Sequence, residues 1–286
     1  INLGNYKMNT FYPLEPKTSV IKLLQITDPH LFSDTTKDLL GVNTHASFQA
    51  VLDEIQAEIQ TQAVDFDAIL ATGDLIQDHQ SEGYLHFAEM IRPLAKPVFW
   101  LEGNHDQQPQ MSLLLGKFDY IRPEKQIFAG DHWQILMLNS QVATAPSGYL
   151  SKGQLAWLNQ KLSENPERFT LVVLHHNILF THSAWLDQHS LKNSDTLAEI
   201  LALYPNVKAI LHGHIHQEVD AIWNGIRILS TPSTCIQFKP NCDDFTLDNL
   251  PQGWRELSLF EDGRIETEVK RLKTQAFLPN FDSQGY

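Results

Sequence analysis

Pro97-Val98-Phe99-Trp100-Leu101-Glu102-Gly103-Asn104-His105-Asp106 is the stretch that decides the fold. Its apolar half, Pro97–Leu101, runs into a glycine followed by an amide, an imidazole and a carboxylate. A short apolar run bounded by Gly, Asp and Asn reads as a buried strand. Three polar groups directly behind such a strand need partners or solvent. The arrangement recurs on both sides. Ile21–Ile26 runs into Asp28-Pro29-His30, and Ala68–Ala71 into Gly73-Asp74. Leu171–Leu174 runs into His175-His176, and Ala209–Leu211 into Gly213-His214-Ile215-His216. Loops at the carboxyl ends of strands in an α/β sheet converge on one crevice. The five segments therefore predict a metal centre.

Seven residues are candidate ligands: Asp28, His30, Asp74, Asn104, His175, His214 and His216. They are too many for one tetrahedral ion. Imidazole suits Zn, Fe, Cu and Ni, whereas carboxylate and amide oxygens suit Mg, Ca and Mn. A mixed set fits two adjacent borderline cations sharing one carboxylate. Such pairs sit roughly 3.5–4 Å apart, generate a hydroxide nucleophile and clamp the oxygens of an in-line displacement. Phosphoester hydrolysis is the reaction they serve most directly. The i,i+2 spacing of His214 and His216 puts both imidazoles on one side of an extended segment, which a single packed core histidine would not require.

In this order, D-x-H, G-D, G-N-H-D, H and G-H-x-H, the motifs resemble the signature of calcineurin-like metallophosphoesterases. The resemblance extends to bacterial class III cyclic AMP phosphodiesterases. Leu24–Asp28, Leu40–Thr44, Ser183–Leu191, Thr231–Cys235 and Phe281–Tyr286 carry it, from about Val20 onward. It implies that Asp28, His30, Asp74 and His216 hold one ion, and that Asp74, Asn104, His175 and His214 hold the other. A metal-bridging hydroxide would attack the cyclic phosphate. Iron and manganese come first as the two divalent or trivalent ions, with zinc, cobalt or nickel also compatible. His105 follows a ligand without being one in the family pattern, so it is placed to bind a phosphate oxygen and protonate the leaving group, with Asp106 orienting its ring. His30, Asp74, Asn104, His105 and His216 are the expected substrate-binding residues. The implied reaction converts 3′,5′-cyclic AMP to 5′-AMP and lowers intracellular cyclic AMP. A broader phosphodiesterase acting on 2′,3′-cyclic nucleotides or other small diesters fits the same chemistry. A non-catalytic scaffold would fit the fold but not the complete ligand set.

Composition sets further bounds. The 286 residues carry a formal net charge of −13. That argues against a nucleic-acid track, which needs Lys and Arg to replace counterions. A small anion can still bind, because two metal ions add local positive charge. Cys235 and Cys242 make no disulfide framework. No apolar run approaches a membrane span, so the expectation is a cytoplasmic protein with no membrane partner. Met8 reads as the natural start, with residues 1–7 an addition or upstream remnant. Dividing the chain between Asp28 and His216 would destroy the site, so residues 1–286 read as one domain.

Amphipathic spacing predicts a helix from Ala46 to Gln62 capped by Asn43 or Thr44. Others are predicted over Ser81–Ile91, behind Ser151, and around Leu197–Leu203. Trp133–Leu138, Ala221–Trp223 and Ile226–Leu229 suggest a second sheet, with Asn224-Gly225 as a type I′ turn. Residues 254–286 read as a hairpin and tail, and Gln237–Pro251 as a long loop. The predicted class is α/β, a four-layer αββα sandwich of two mixed sheets flanked by helices, which the family resemblance also implies. His176 is a candidate partner of the ligands and His212 a packing residue. His182, His189 and Trp185 are candidates for a substrate pocket. His45, His79, His86 and His132 read as surface or helix residues.

Overall fold

The computed structural model describes residues 11–61 and 64–286. The proposed start at Met8 lies outside them.

One sheet has six strands in the order Ile265–Arg271, Gly253–Leu259, Ile21–Ile26, Ala68–Ala71, Val98–Trp100 and Ile121–Arg122. The last four run parallel, and the 253–271 hairpin adds antiparallel to Ile21–Ile26. The other sheet has seven strands, whose middle members Trp133–Met137, Phe169–Val173, Val207–His212 and Ile226–Ser230 are parallel. Val219–Trp223 returns antiparallel at its edge. Asn224 and Gly225 both have positive φ, 50° and 79°, as a type I′ turn requires.

The layers follow from which faces are apolar. Leu23, Leu70 and Phe99 of the first sheet meet Trp133, Ile135, Leu171 and Leu211 of the second in a core between the sheets. Leu24, Ile26 and Ile69 face outward against the helices Thr44–Gln60 and Glu82–Ile91. On the far side, Leu136, Val172 and Ile210 pack on Lys152–Glu164 and Ser194–Leu201. Alternate residues of a strand point to opposite faces, so strands covered on both faces read as continuous apolar runs. The result is the four-layer αββα arrangement.

Helix entries match their sequence signals. Asn43 caps Thr44–Gln60 by accepting from the Ala46 amide at 2.8 Å. The Ser151 hydroxyl accepts from the Gln154 amide at 3.1 Å. No helix among the described residues is long and apolar enough to cross a membrane.

Two corrections concern the frame of the site. The segments do not converge from a single sheet. Three come from the six-stranded sheet and two from the seven-stranded one, so the crevice lies between the sheets. Gln237–Pro251 is not a plain loop either. Gln237–Phe238 pairs antiparallel with Leu247–Asp248, which fixes Phe238 beside the site.

Candidate metal centre

Beyond the strand ends, the loops stay zipped together. The Asp28 amide donates to the Gly73 carbonyl at 3.1 Å, and the His30 amide to the Asp74 carbonyl at 3.0 Å. The Gly213 amide donates to the His175 carbonyl at 3.2 Å, tying the last two segments together. Close approach explains the glycines. A Cβ on Gly73 would lie 2.7 Å from the Gly103 nitrogen, and one on Gly213 would lie 2.6 Å from Asp28 Oδ2. Asp28, His30, Asp74, His214 and His216 all adopt positive φ, between 46° and 74°. Left-handed backbone in non-glycine residues costs about 1–3 kcal/mol each and persists where the surroundings over-determine it. Here it turns five side chains toward one point.

Asp28, His30, Asp74, His175, His214 and His216 are all buried, while Asn104 and His105 are partly exposed. His216 Nε2 lies 3.2 Å from Asp28 Oδ1, and His175 Nε2 lies 3.2 Å from Asp74 Oδ2. His30 Nε2 is 3.6 Å from Asp28 Oδ1 and 3.7 Å from Asp74 Oδ2. Three groups could each hold an ion: Asp28, His30 and His216; Asp74, His175 and His214; and His30, Asp74 and His105. The first two match the predicted division. The third brings His105 within the same radius.

The imidazoles are aimed by their second nitrogens. His30 Nδ1 lies 2.7 Å from Gln77 Oε1, His175 Nδ1 lies 2.7 Å from the Thr72 carbonyl, and His216 Nδ1 lies 2.9 Å from the Ile236 carbonyl. Each leaves Nε2 for the cluster, the arrangement that fixes the tautomer of a ligating histidine. His214 is reversed: Nε2 meets the His189 carbonyl at 3.0 Å, leaving Nδ1. Asn104 Oδ1, one residue before His105, is buried without a hydrogen-bond partner among the described residues, and His175 Nε2 faces the carboxylates of Asp74 and Asp28. An orphaned amide oxygen and imidazoles set against carboxylates make a donor set that fits metal ions.

Electrostatics point the same way. Burial opposes charge on Asp74, but His175 and His105 hold its carboxyl well below the usual range. Burial likewise opposes protonation of His175, yet Asp74 and Asp28 push it up to about 10. Ionised carboxylates gripping protonated imidazoles are a place where metal ions displace protons. Burial pushes His105 down to about 4, despite the pull of Asp74.

Asp106 requires a correction. Its carboxylate does not orient the His105 ring. Oδ2 accepts from the Asp74 and Gly103 amides, both at 2.8 Å, while Oδ1 accepts from the Leu75 amide at 3.1 Å and the Tyr84 hydroxyl at 3.0 Å. It braces the two loops that carry Asp74 and Asn104.

The remaining histidines divide as follows. His176 is buried between Ser140 and the Pro146 carbonyl, with its ring 4.6 Å from that of His214. His212 is buried with Nδ1 against the Gly213 carbonyl. His182 lines a cavity of about 350 Å³ together with His216 and Phe238. His189 contributes its carbonyl, and Trp185 packs on Phe238 and Phe245. His86 bonds the Ser33 carbonyl from its helix.

Residue-by-residue sequence reading missed Gln77, Phe238 and the bracing of Asp28. The Ser233 hydroxyl donates to the Asp28 carbonyl at 2.7 Å and receives the Cys235 amide at 2.8 Å. Phe238 lies flat on His216, with centroids 4.2 Å apart and planes at 13°. The Thr231–Cys235 resemblance was the available signal for the first of these contacts.

A sequence profile for calcineurin-like phosphoesterases matches residues 21–218. The chain belongs to that family. The phosphoesterase is 56% identical over 278 residues to the 3′,5′-cyclic adenosine monophosphate phosphodiesterase CpdA of Haemophilus influenzae, covering 97% of this chain and 99% of that one. It is 52% identical over 266 residues to the enzyme of the same name from Escherichia coli, covering 93% and 95%. Among solved structures, a dimetal phosphatase from Danio rerio superposes with a TM-score of 0.57 at 13% identity, over 88% of this chain and 98% of that one. That likeness concerns the fold alone.

Proposed function

We propose that this phosphoesterase hydrolyses 3′,5′-cyclic AMP to 5′-AMP and thereby lowers cyclic AMP. The observation that carries the reading is the convergence of Asp28, His30, Asp74, His175, His214 and His216 on one cluster, in a chain similar along nearly its whole length to enzymes named for that reaction. Asp28, His30, Asp74 and His216 would hold one ion. Asp74, Asn104, His175 and His214 would hold the other, with Asp74 shared. Iron and manganese suit this donor set, and zinc, cobalt or nickel fit the same atoms. Bound there, the two ions supply an activated water and neutralise phosphoryl charge.

The chain's own groups do the rest. His105 borders the cluster with its amide fixed to Asp74 Oδ1 at 2.8 Å. Its depressed basicity leaves the resting ring neutral, able to donate an N–H to a phosphoryl oxygen. An anionic diester beside the ring favours the imidazolium, which can then protonate O3′. In the net reaction the oxygen of water joins phosphorus, the P–O3′ bond breaks and O3′ takes a proton. Gly103, Asn104 and His105 lie on one loop, so the phosphate-binding ring and a ligand are positioned together. A cytoplasmic site for the reaction is part of this proposal, and two cysteines that form no disulfide suit that reducing compartment.

Hydrolysis in H₂¹⁸O tests this directly. One ¹⁸O should appear on the phosphate of 5′-AMP, and His105→Ala should keep both metals while losing most of kcat. Label on adenosine, or loss of metal in His105→Ala, defeats the assignment.

A further inference from the structure

A second cavity, of about 560 Å³, is walled by both sheets. Trp100 and Ile121 come from the six-stranded sheet, Met137 from the seven-stranded one, and Trp157 from the helix Lys152–Glu164, with Phe118 beside them. None of the ligand-type residues lines it. Sites for small organic ligands hold roughly 300–1,000 Å³ and set a few polar groups among apolar walls. This cavity has that size and those walls.

Its polar group is Glu102, which lines the cavity and is only 6% exposed. Oε1 accepts from Gln108 Nε2 at 2.9 Å, whereas Oε2 is buried with no hydrogen-bond partner among the described residues. The cations on the same wall are engaged elsewhere. The Lys125 ammonium donates to the Trp100 carbonyl and lies 3.5 Å over the centre of the Trp100 ring, and Arg122 pairs with Glu124. A buried carboxylate oxygen without a donor is where the N–H of a ligand belongs. Charge narrows the ligand further. The lining carries three acidic side chains, Glu102, Asp119 and Glu124, against two basic ones, Arg122 and Lys125. That excess favours a cation, and the rings of Trp100, Phe118 and Trp157 favour an aromatic body beside it. Glu102 also heads the loop that carries Asn104, His105 and Asp106, and its bond to Gln108 closes that loop.

We propose that this cavity is a second binding site, separate from the metal centre, for a small organic cation: a protonated amine that donates to Glu102 Oε2 while its aromatic body packs against Trp100, Phe118 and Trp157.

Phenethylamine is the probe, with 3-phenylpropionate as an anionic counterpart of similar size. Each is titrated at neutral pH into the full chain loaded with manganese, and the ¹⁵N indole resonances of Trp100 and Trp157 report on the cavity. The amine should shift both resonances saturably and bind at least about tenfold more tightly than the acid. An excess of inorganic phosphate, an anion suited to the metal centre, should leave the Kd of the amine within about twofold. Glu102→Gln keeps a partner for Gln108 but not the charge. Checked for two manganese ions per chain, it should bind the amine about ten- to hundredfold more weakly, the loss of one charge-assisted hydrogen bond. Equal affinity for amine and acid would overturn the proposal, as would displacement of the amine by phosphate or full amine affinity in Glu102→Gln. Absence of saturable binding to wild type would overturn it as well. If Glu102→Gln loses manganese or its fold, the comparison of amine and acid on wild type decides alone.

Discussion

The Nε2 atoms of His30 and His216 lie 3.2 Å apart across 186 positions of sequence. Neither ring can turn away, because Gln77 holds one Nδ1 and the Ile236 carbonyl holds the other. Burial opposes protonation of both, yet Asp28 and Asp74 push His30 up while His216 stays below its ordinary value. His30 can donate its Nε2 proton to His216 Nε2 across that gap, and a metal ion bound to both rings would displace it. Removing the brace should loosen it: Gln77→Leu is expected to weaken metal binding about 10–100-fold with the fold intact. Isothermal titration of the metal-stripped variant with manganese measures this.

Asp106 distinguishes bracing from ring orientation. Its carboxylate receives three buried amides and a tyrosine hydroxyl. In Asp106→Asn an NH₂ replaces one acceptor and leaves buried donors unsatisfied, at about 1–3 kcal/mol each. The variant should therefore unfold at lower temperature and bind less metal at Asp74 and Asn104. Full metal content with only kcat reduced would instead restore the ring-orienting role.

Gly213→Ala should act on the metal held at Asp28. The added methyl would strike the Thr27 hydroxyl and come within 2.6 Å of Asp28 Oδ2, an atom that also accepts the His214 amide at 3.0 Å. Metal analysis should find one ion retained and one lost. Two ions at wild-type affinity would show that the loops have room to yield.

Metal binding should release protons. His175, pushed up to about 10 in the metal-free protein, is protonated at neutral pH and must lose that proton to offer Nε2. Affinity therefore rises as pH climbs from the ordinary histidine value toward 10. Titrations at about pH 7.5 in buffers of different ionisation heat should show at least one proton released per chain. Heats independent of buffer would contradict this.

The stability of the metal-free protein should peak close to pH 6.5. His175 is raised on folding, so its contribution is complete below 6.5 and is lost as pH rises toward about 10. His105, His176 and His212 are lowered by burial to about 4, 3 and 4. Their contribution is complete above 6.5 and is lost as pH falls through those values. Asp106, raised to about 7 by burial and Asp74, opposes them as one group against three. Thermal unfolding between about pH 4 and 10 traces the curve, and a midpoint that climbs steadily toward acid would refute it.

What the sequence disclosed is explained by the chemistry of strand ends. Asp28, His30, Asp74, His175, His214 and His216 each follow an apolar run, and burial leaves such residues few roles besides ligation. Asp106 was read through its neighbour in the chain, whereas three of its four partners, Asp74, Leu75 and Tyr84, lie 22–32 positions away. Gln77 and Phe238 have no local pattern, because each acts through a ring brought to it by the fold. The crevice between the sheets was hidden for the same reason: apolar runs show that strands are buried, not which sheet they join. The hairpin at 253–271 was legible as a hairpin, but its pairing with Ile21–Ile26 depends on contacts distant in sequence.

Specialisation of the dimetal site for 3′,5′-cyclic AMP is tested by how the chain turns over rival diesters. The most direct measurement is kcat/KM for 3′,5′-cyclic AMP, 2′,3′-cyclic AMP and bis(p-nitrophenyl) phosphate on stripped protein reloaded with manganese or iron, with Asp74→Ala as control. A preference of at least about tenfold for 3′,5′-cyclic AMP is expected, with activity abolished in the control. Comparable values on all three substrates, or activity that survives Asp74→Ala, would contradict it.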